Sequence, residues 1–282
     1  MKPYEKQWSS ATPGLLIILL DQSGSMLAPY DGNDTKTVFA SKAVNRVIDT
    51  IIQKNFDGES PKNRCFISVI GYGNDVKELC SGYLKDLDAN PARVESIKKK
   101  QSDGAGGIIE VPYEMQIWVE PINHDAVTNM KKAFELAKGI AERWIGDKPD
   151  SPAPVIINIS DGVPYYEGKD VEICMTETEA VAKSIMGIST EDGNVLIFNA
   201  LIKQYGQNLV FPNSLNDCNC EEARFIYNIS SVVPEAYKSA AAKNELLVKV
   251  DSRGCIFEAD GVQLISLIDF GSSKGQGDIK QC

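Results

Sequence analysis

The sequence predicts an α/β protein: a doubly wound, mostly parallel central sheet flanked by helices. Residues 15–20 are six aliphatics in a row, and residues 155–159 are apolar except for Asn158. Short runs without polar alternation suit strands buried on both faces of a parallel sheet. Between and after them stand stretches with apolar residues at helical spacing. Strand and helix then alternate toward the end of the chain, the pattern of a doubly wound sheet.

Taken in order, the first strand covers residues 15–20 and stops at Asp21. Residues 29–33 are polar and turn-rich, with Gly32 and Asn33 as breakers. Asp34 or Thr35 caps the next helix, in which Val38, Val44, Val47, Ile48, Ile51 and Ile52 recur at helical spacing. Pro61 and Asn63 break the chain before a second strand at 65–70, which ends at Gly71 and Gly73, with a short edge strand at 76–79 beside it. Asn90-Pro91 then opens a short polar helix over 92–100, with proline in its first turn. Residues 102–107 form a loop that lacks the strand-then-Lys context of a phosphate-binding loop, and 108–121 fold as a small hairpin.

Thr128 opens a strongly amphipathic helix with Met130, Phe134, Ala137, Ile140, Ala141 and Trp144 on one face. Gly146, Pro149 and Pro152 end it. After the strand at 155–159 come a helix at 178–186, a strand at 195–202 and helices at 221–231 and 234–243. A weak strand or extended segment at 246–250 and a helix at 261–270 close the pattern.

At 282 residues, 43% hydrophobic and 24% charged, the chain can bury a sizeable core. No linker of disordered composition and no internal repeat divides it. One domain is expected over 1–282, with a core of about 14–270, a short extension at 1–13 and an insertion of unsettled structure at about 84–123. The formal charge of −10 argues against a nucleic-acid partner. Lys98-Lys99-Lys100 reads as a solvated helix end. Residues 1–13 contain no apolar stretch, so no secretory signal is read, and the run at 15–20 is too short to cross a membrane. Seven irregularly spaced cysteines read as reduced thiols, which points to the cytoplasm. Cys218 and Cys220 are the one close pair, with no further soft ligands at a zinc spacing.

Three segments carry chemistry: Asp21/Ser23/Ser25, Thr128 and Asp161. Two apolar strands end at Asp21 and at Ser160-Asp161-Gly162, so a doubly wound sheet delivers both acids to one carboxyl edge. With three hydroxyls they make an all-oxygen set that suits Mg²⁺ or Mn²⁺ and not zinc.

Asp-x-Ser-x-Ser after a buried strand, a distant Thr and a later Ser-Asp-Gly resemble the von Willebrand factor A (VWA) domain with its metal-ion-dependent adhesion site, MIDAS. The resemblance implies that Ser23, Ser25 and Thr128 coordinate the cation directly, that Asp21 and Asp161 act directly or through water, and that a partner's acidic residue fills the last position. Many relatives carry glycines before the threonine, whereas His124-Asp125-Ala126-Val127 precede Thr128 here, which leaves the approach of this loop open. His124, the one histidine, reads as an ordinary loop residue. Trp118-Val119-Glu120-Pro121, Gly193-Asn194-Val195-Leu196, Ser230-Ser231-Val232-Val233-Pro234 and Arg253-Gly254-Cys255-Ile256-Phe257 resemble segments of bacterial intracellular VWA proteins. That group is often encoded beside PP2C-like phosphatases and Ser/Thr kinases, as in tellurium-resistance-type clusters. The resemblance therefore implies a non-enzymatic, metal-dependent interaction module in a signalling or stress-response complex. A PP2C-like phosphatase or Ser/Thr kinase is the candidate partner.

Two other readings stand beside it. A haloacid-dehalogenase-like phosphohydrolase also places an Asp after its first strand and uses Mg²⁺, but it needs a second acid two residues on, where Ser23 stands. Alternatively the hydroxyls are structural: Ser23 and Ser25 cap the following helix, and Thr128 caps its own.

Overall fold

The structure, a computed structural model, describes residues 2–32, 34–102, 107–122, 127–202, 208–243 and 246–273. Strand β1 (Gly14–Asp21) is buried along its whole length. A single 3-10 turn (Gly24–Leu27) and a small ribbon, β2 (Pro29–Asp31) with β3 (Asp34–Thr35), lead to helix α1 (Lys36–Lys54). Thr35 caps α1, its hydroxyl accepting from the Val38 N–H. A second small ribbon, β4 (Phe56–Asp57) with β5 (Ser60–Pro61), turns the chain into β6 (Cys65–Tyr72), which pairs antiparallel with the edge strand β7 (Val76–Tyr83).

The expected helix over 92–100 is instead a strand. Helix α2 (Leu84–Ala89) ends just before Pro91, a usual place for proline after a helix end. The next residues form β8 (Arg93–Ser102), which pairs in ten-residue register with β9 (Ile108–Ile117). Residues 92–100 offer no apolar helical face, and cross-strand pairing with an Ile-, Val- and Tyr-rich strand overrides the local propensity of their Lys and Glu. Lys98-Lys99-Lys100 therefore sits in a strand and not at a helix end, and Lys98 pairs with Glu110. The hairpin is also larger than the one expected within 108–121. Its β9 strand is tied to α1 by the Tyr113 hydroxyl, which donates to Asp49 Oδ2 at 2.7 Å. Beyond it, the Asn45 side chain of α1 accepts from the Trp118 and Val119 N–H groups and donates to the Val119 carbonyl. Of the loop at 102–107, residues 103–106 lie outside the described residues.

Helix α3 (Met130–Asp147) follows, then β10 (Val155–Ser160), α4 (Val171–Met186), β11 (Leu196–Leu201) and the short β12 (Leu209–Val210). Helix α4 begins seven residues earlier than its apolar spacing suggests. Helices α5 (Glu221–Asn228) and α6 (Lys238–Lys243), strand β13 (Cys255–Phe257) and helix α7 (Gly261–Gly271) complete the order. The last strand is therefore at 255–257 and not at 246–250. Leu247 and Val250 are both 73% exposed, whereas all of β13 is buried.

Among the described residues the central sheet has seven strands in the order β12-β13-β11-β10-β1-β6-β7. The five inner strands run parallel, and both edge strands, β7 and β12, are antiparallel. Side chains of β1 alternate between two core layers. Leu16, Ile18 and Leu20 pack with α1 and α7, while Leu15, Ile17 and Leu19 pack with α3. The described part of the extension, from residue 2 to 13, joins the first layer through Trp8, which is 3% exposed and lies against Gly14, where a Cβ would fall 2.1 Å from its ring. The Tyr4 hydroxyl accepts from the Asn194 N–H, and the Lys6 N–H donates to Asp192 Oδ1.

A polar chain crosses the second layer. The Tyr72 hydroxyl donates to Asn158 Oδ1, the Asn158 amide donates to Asn199 Oδ1, and the Asn199 amide donates to Ser230 Oγ. All four side chains are fully buried.

The chain leaves β1 for β6 on one side and returns to β10 on the other. The topological switch point therefore lies between β1 and β10, where open α/β sheets form a ligand crevice.

Candidate metal centre

Parallel pairing of β1 with β10, Leu20 opposite Ile159, brings Asp21 and Ser160-Asp161 to the same carboxyl edge at that switch point. Asp21 is fully buried and anchored at both oxygens: Oδ1 accepts from the Ser23 N–H at 2.9 Å, and Oδ2 accepts from Ser160 Oγ at 2.6 Å. Ser23 Oγ lies 3.2 Å from Ser25 Oγ, and Ser25 Oγ donates to Asp161 Oδ1 at 2.7 Å. Four of the five expected residues thus form one connected group drawn from two strand ends. Ser23 is 2% and Asp161 3% exposed, whereas Ser25 is exposed, so the group opens to solvent at Ser25.

Thr128 reaches the same edge by a different route. Its N–H donates to the Tyr165 carbonyl and its carbonyl accepts from the Tyr165 N–H, an isolated bridge to the loop after Asp161. The adjoining Asn129 N–H donates to the carbonyl of Gly73, just past β6. Among the described residues no hydrogen bond joins the Thr128 hydroxyl to the other four. Thr128 is not the cap of α3; Asn129 is, through the Lys132 N–H. Likewise Ser23, at the N-cap of the Gly24–Leu27 turn, makes no side-chain capping bond. His124 and its neighbours at 123–126 lie outside the described residues.

Burial and the neighbouring Asp161 charge push the Asp21 carboxyl from its ordinary 3.8 up to about 6, against the lowering effect of the Ser160 and Ser23 hydrogen bonds. Burial is the larger cause, and the Asp161 charge adds to it. Two residues absent from the expected set respond to it. Ser160 holds Asp21 from the next strand. The Lys36 ammonium, from the first turn of α1, sits 2.6 Å from Asp161 Oδ2. Ser160 was readable only through the β1–β10 register. Lys36 carried one signal: a cation at a helix N-terminus with no acid in the first turn, which the helix dipole disfavours.

Among the described residues no group of three or more His, Cys, Asp or Glu is placed to hold a metal ion, so a cation at Asp21 and Asp161 would need other oxygens, such as the neighbouring hydroxyls. Cys220 caps α5 through the Ala223 N–H, and the described cysteines are all free thiols. No described helix is long and apolar enough to cross a membrane.

No family model matches the sequence, and no curated protein matches it. Among solved structures, the PilB minor pilin from Streptococcus sanguinis is similar at 10% identity over 94% of this chain and 62% of that one, with a TM-score of 0.50. The ArnB paralog VWA2 from Sulfolobus acidocaldarius is similar at 18% identity over 67% of this chain and 34% of that one, with a TM-score of 0.35. Proximal thread matrix protein 1 from the mussel byssus, with a zinc-occupied MIDAS motif, is similar at 13% identity over 92% of this chain and 46% of that one, with a TM-score of 0.42. The chain thus spans about a third of the Sulfolobus protein and less than two thirds of the pilin. The pilin likeness, which covers nearly the whole chain, is one of fold.

Proposed function

We propose that this chain is a VWA-type, metal-dependent protein-interaction domain. Asp21, Ser23, Ser25, Thr128 and Asp161 hold Mg²⁺ (or Mn²⁺), and a partner's Asp or Glu completes the shell. The observation that carries the reading is the connected group Ser23–Ser25–Asp161, with Asp21 beside it, at the switch point of the sheet. The donor set fits the ion. All five side chains offer hard oxygens, and burial beside Asp161 makes the charge on Asp21 costly until a cation offsets it. A bound dication would make an attractive point for a carboxylate on a protein of charge −10. Leu27, two residues past Ser25, and Tyr165, bridged to Thr128, are 46% and 43% exposed and add apolar contact area near the acids. A bacterial phosphatase or kinase complex in the cytoplasm remains the candidate setting, drawn from the resemblance alone.

The phosphohydrolase reading still lacks its second acid: Ser23 stands two residues after Asp21, and a serine hydroxyl is too weak an acid to protonate the leaving group. The purely structural reading loses ground because Ser23 and Thr128 cap nothing with their side chains.

The test is calorimetric titration of the chelator-treated protein with Mg²⁺ and Mn²⁺, beside Asp21→Ala and Thr128→Val. Saturable binding by the parent, lost in Asp21→Ala and weakened about tenfold or more in Thr128→Val with an unchanged melting temperature, supports the site. Undiminished affinity in Asp21→Ala would falsify it. Capture of partners by the immobilised domain, with Mg²⁺ against chelator, then tests the acidic-ligand role.

A further inference from the structure

We infer that Lys36 is a built-in competitor for the cation: its ammonium and a metal ion exclude one another at Asp161. The inference rests on the metal-site reading above and specifies how that site is regulated.

Lys36 opens α1, where the helix dipole repels a cation and no acid stands in the first turn to offset it. Its side chain nevertheless lies inward, only 11% exposed, with the ammonium 2.6 Å from Asp161 Oδ2. Lys42, one turn and a half further along, shows the ordinary alternative: it is 67% exposed and pairs with Asp34 at the surface. Burying an ammonium is unfavourable unless an opposite charge receives it, so Lys36 stays inside because Asp161 is there.

Both oxygens of Asp161 are then engaged, Oδ1 by Ser25 and Oδ2 by Lys36. The two partners differ in what they can do next. A hydroxyl can turn its proton away and offer a lone pair to a cation, whereas an ammonium has three donors and no acceptor and cannot share one. A dication arriving at Asp161 also meets the lysine's own charge between side chains only 3% and 11% exposed, where repulsion is less screened than in water. The flexible four-carbon stem lets the ammonium swing out toward solvent when the ion enters. Lys36 therefore neutralises Asp161 in the empty site and lowers metal affinity. Occupation comes to depend on the ion and the partner's carboxylate arriving together.

The test titrates the chelator-treated full chain with Mn²⁺, with free ion read by electron paramagnetic resonance, for the parent, Lys36→Met, Lys36→Gln and Asp21→Ala, each checked for fold by circular dichroism. The expected result is at least about tenfold tighter binding in both Lys36 variants. Equal or weaker binding in both overturns the inference. A second readout needs no variant: acetylation of Lys36 in the parent, followed by mass spectrometry, rises severalfold when Mn²⁺ is added, and unchanged labelling overturns displacement. The outcomes separate the two readings. If the parent binds Mn²⁺ and Asp21→Ala does not, the metal site stands and the Lys36 data alone decide the competition. If neither the parent nor any Lys36 variant binds Mn²⁺, the metal site falls and the inference falls with it.

Discussion

Ser160 and Asp21 sit at the ends of adjacent parallel strands, and the Ser160 hydroxyl donates to Asp21 Oδ2 at 2.6 Å. Ser160 is fully buried and its oxygen also accepts from the Gly162 N–H, so it cannot be replaced by water without rearrangement. An outer partner of this kind orients a metal-binding carboxylate. Ser160→Ala is expected to weaken Mn²⁺ binding about 10- to 100-fold while costing about 1–3 kcal/mol of stability. Calorimetric titration and urea unfolding of the same preparation separate the two effects.

The Asp21 carboxyl makes a pH prediction for the metal-free protein. Its folded pKa, about 6, stands above its ordinary 3.8, so between these values the folded state holds a proton that the unfolded state has lost. Its contribution to stability is therefore fully present below about pH 4 and is lost as pH rises through about 6. The size is about 3 kcal/mol. Urea unfolding in chelator should show the parent losing that much relative to Asp21→Asn as pH rises from 4 to 7, and parallel pH profiles would contradict it. Metal binding should run the other way, weakening below pH 6 as Asp21 takes up its proton.

Asn45 holds the strand exit of the β8–β9 ribbon against α1. Its Oδ1 accepts from the Trp118 and Val119 N–H groups at 2.9 and 3.0 Å, and its amide donates to the Val119 carbonyl at 2.7 Å. Asn45→Ala orphans three buried backbone groups at once. A loss of about 3 kcal/mol or more follows, and Asn45→Asp, which would bury a carboxylate against the Val119 carbonyl, should lose more at neutral pH than at acid pH. Chemical unfolding of the two variants at both pH values checks this.

Trp8 is expected to behave as a core residue although it precedes the first strand. Its indole is 3% exposed and covers Gly14. Trp8→Ala should cost about 3–5 kcal/mol, and Gly14→Ala should also destabilise by displacing the ring. Thermal melts of both variants check this, and a melt unchanged in Trp8→Ala would show that the indole does not act as a core residue.

The parts of the fold legible in the sequence are those where one strong pattern dictates the outcome. The run at 15–20 has no competing period, and α1 and α3 each carry a clear apolar face. The ribbon at 93–117 was not legible because its first strand is held by partners up to 24 residues away and is rich in Lys and Glu, which have low strand propensity. Strand β13 was missed for a related reason: three residues in one short buried segment carry no period, while the apolar Leu246, Leu247, Val248 and Val250 upstream suggested a strand that the sheet does not use. In the site, Asp21, Ser23, Ser25 and Asp161 were visible because motif and strand end coincide. Ser160 and Lys36 were hidden because each acts only across a gap in sequence, of 139 and 125 residues, that register and packing close.

The buried chain Tyr72–Asn158–Asn199–Ser230 has a consequence for how the sheet finds its pairing. Aliphatic strands such as β1 and β10 would bury almost as much hydrocarbon if they were shifted by one residue, so oil-like attraction alone discriminates poorly among alignments. A one-residue slip of β10, however, would turn Asn158 onto the α1 side among Ile18 and Val44. It would leave the Asn158 amide without its acceptor and Asn199 Oδ1 without its donor, at about 1–3 kcal/mol each. The two asparagines thus act as a check on assembly. The misalignment that would carry Ser160 away from Asp21 is also one the core itself rejects.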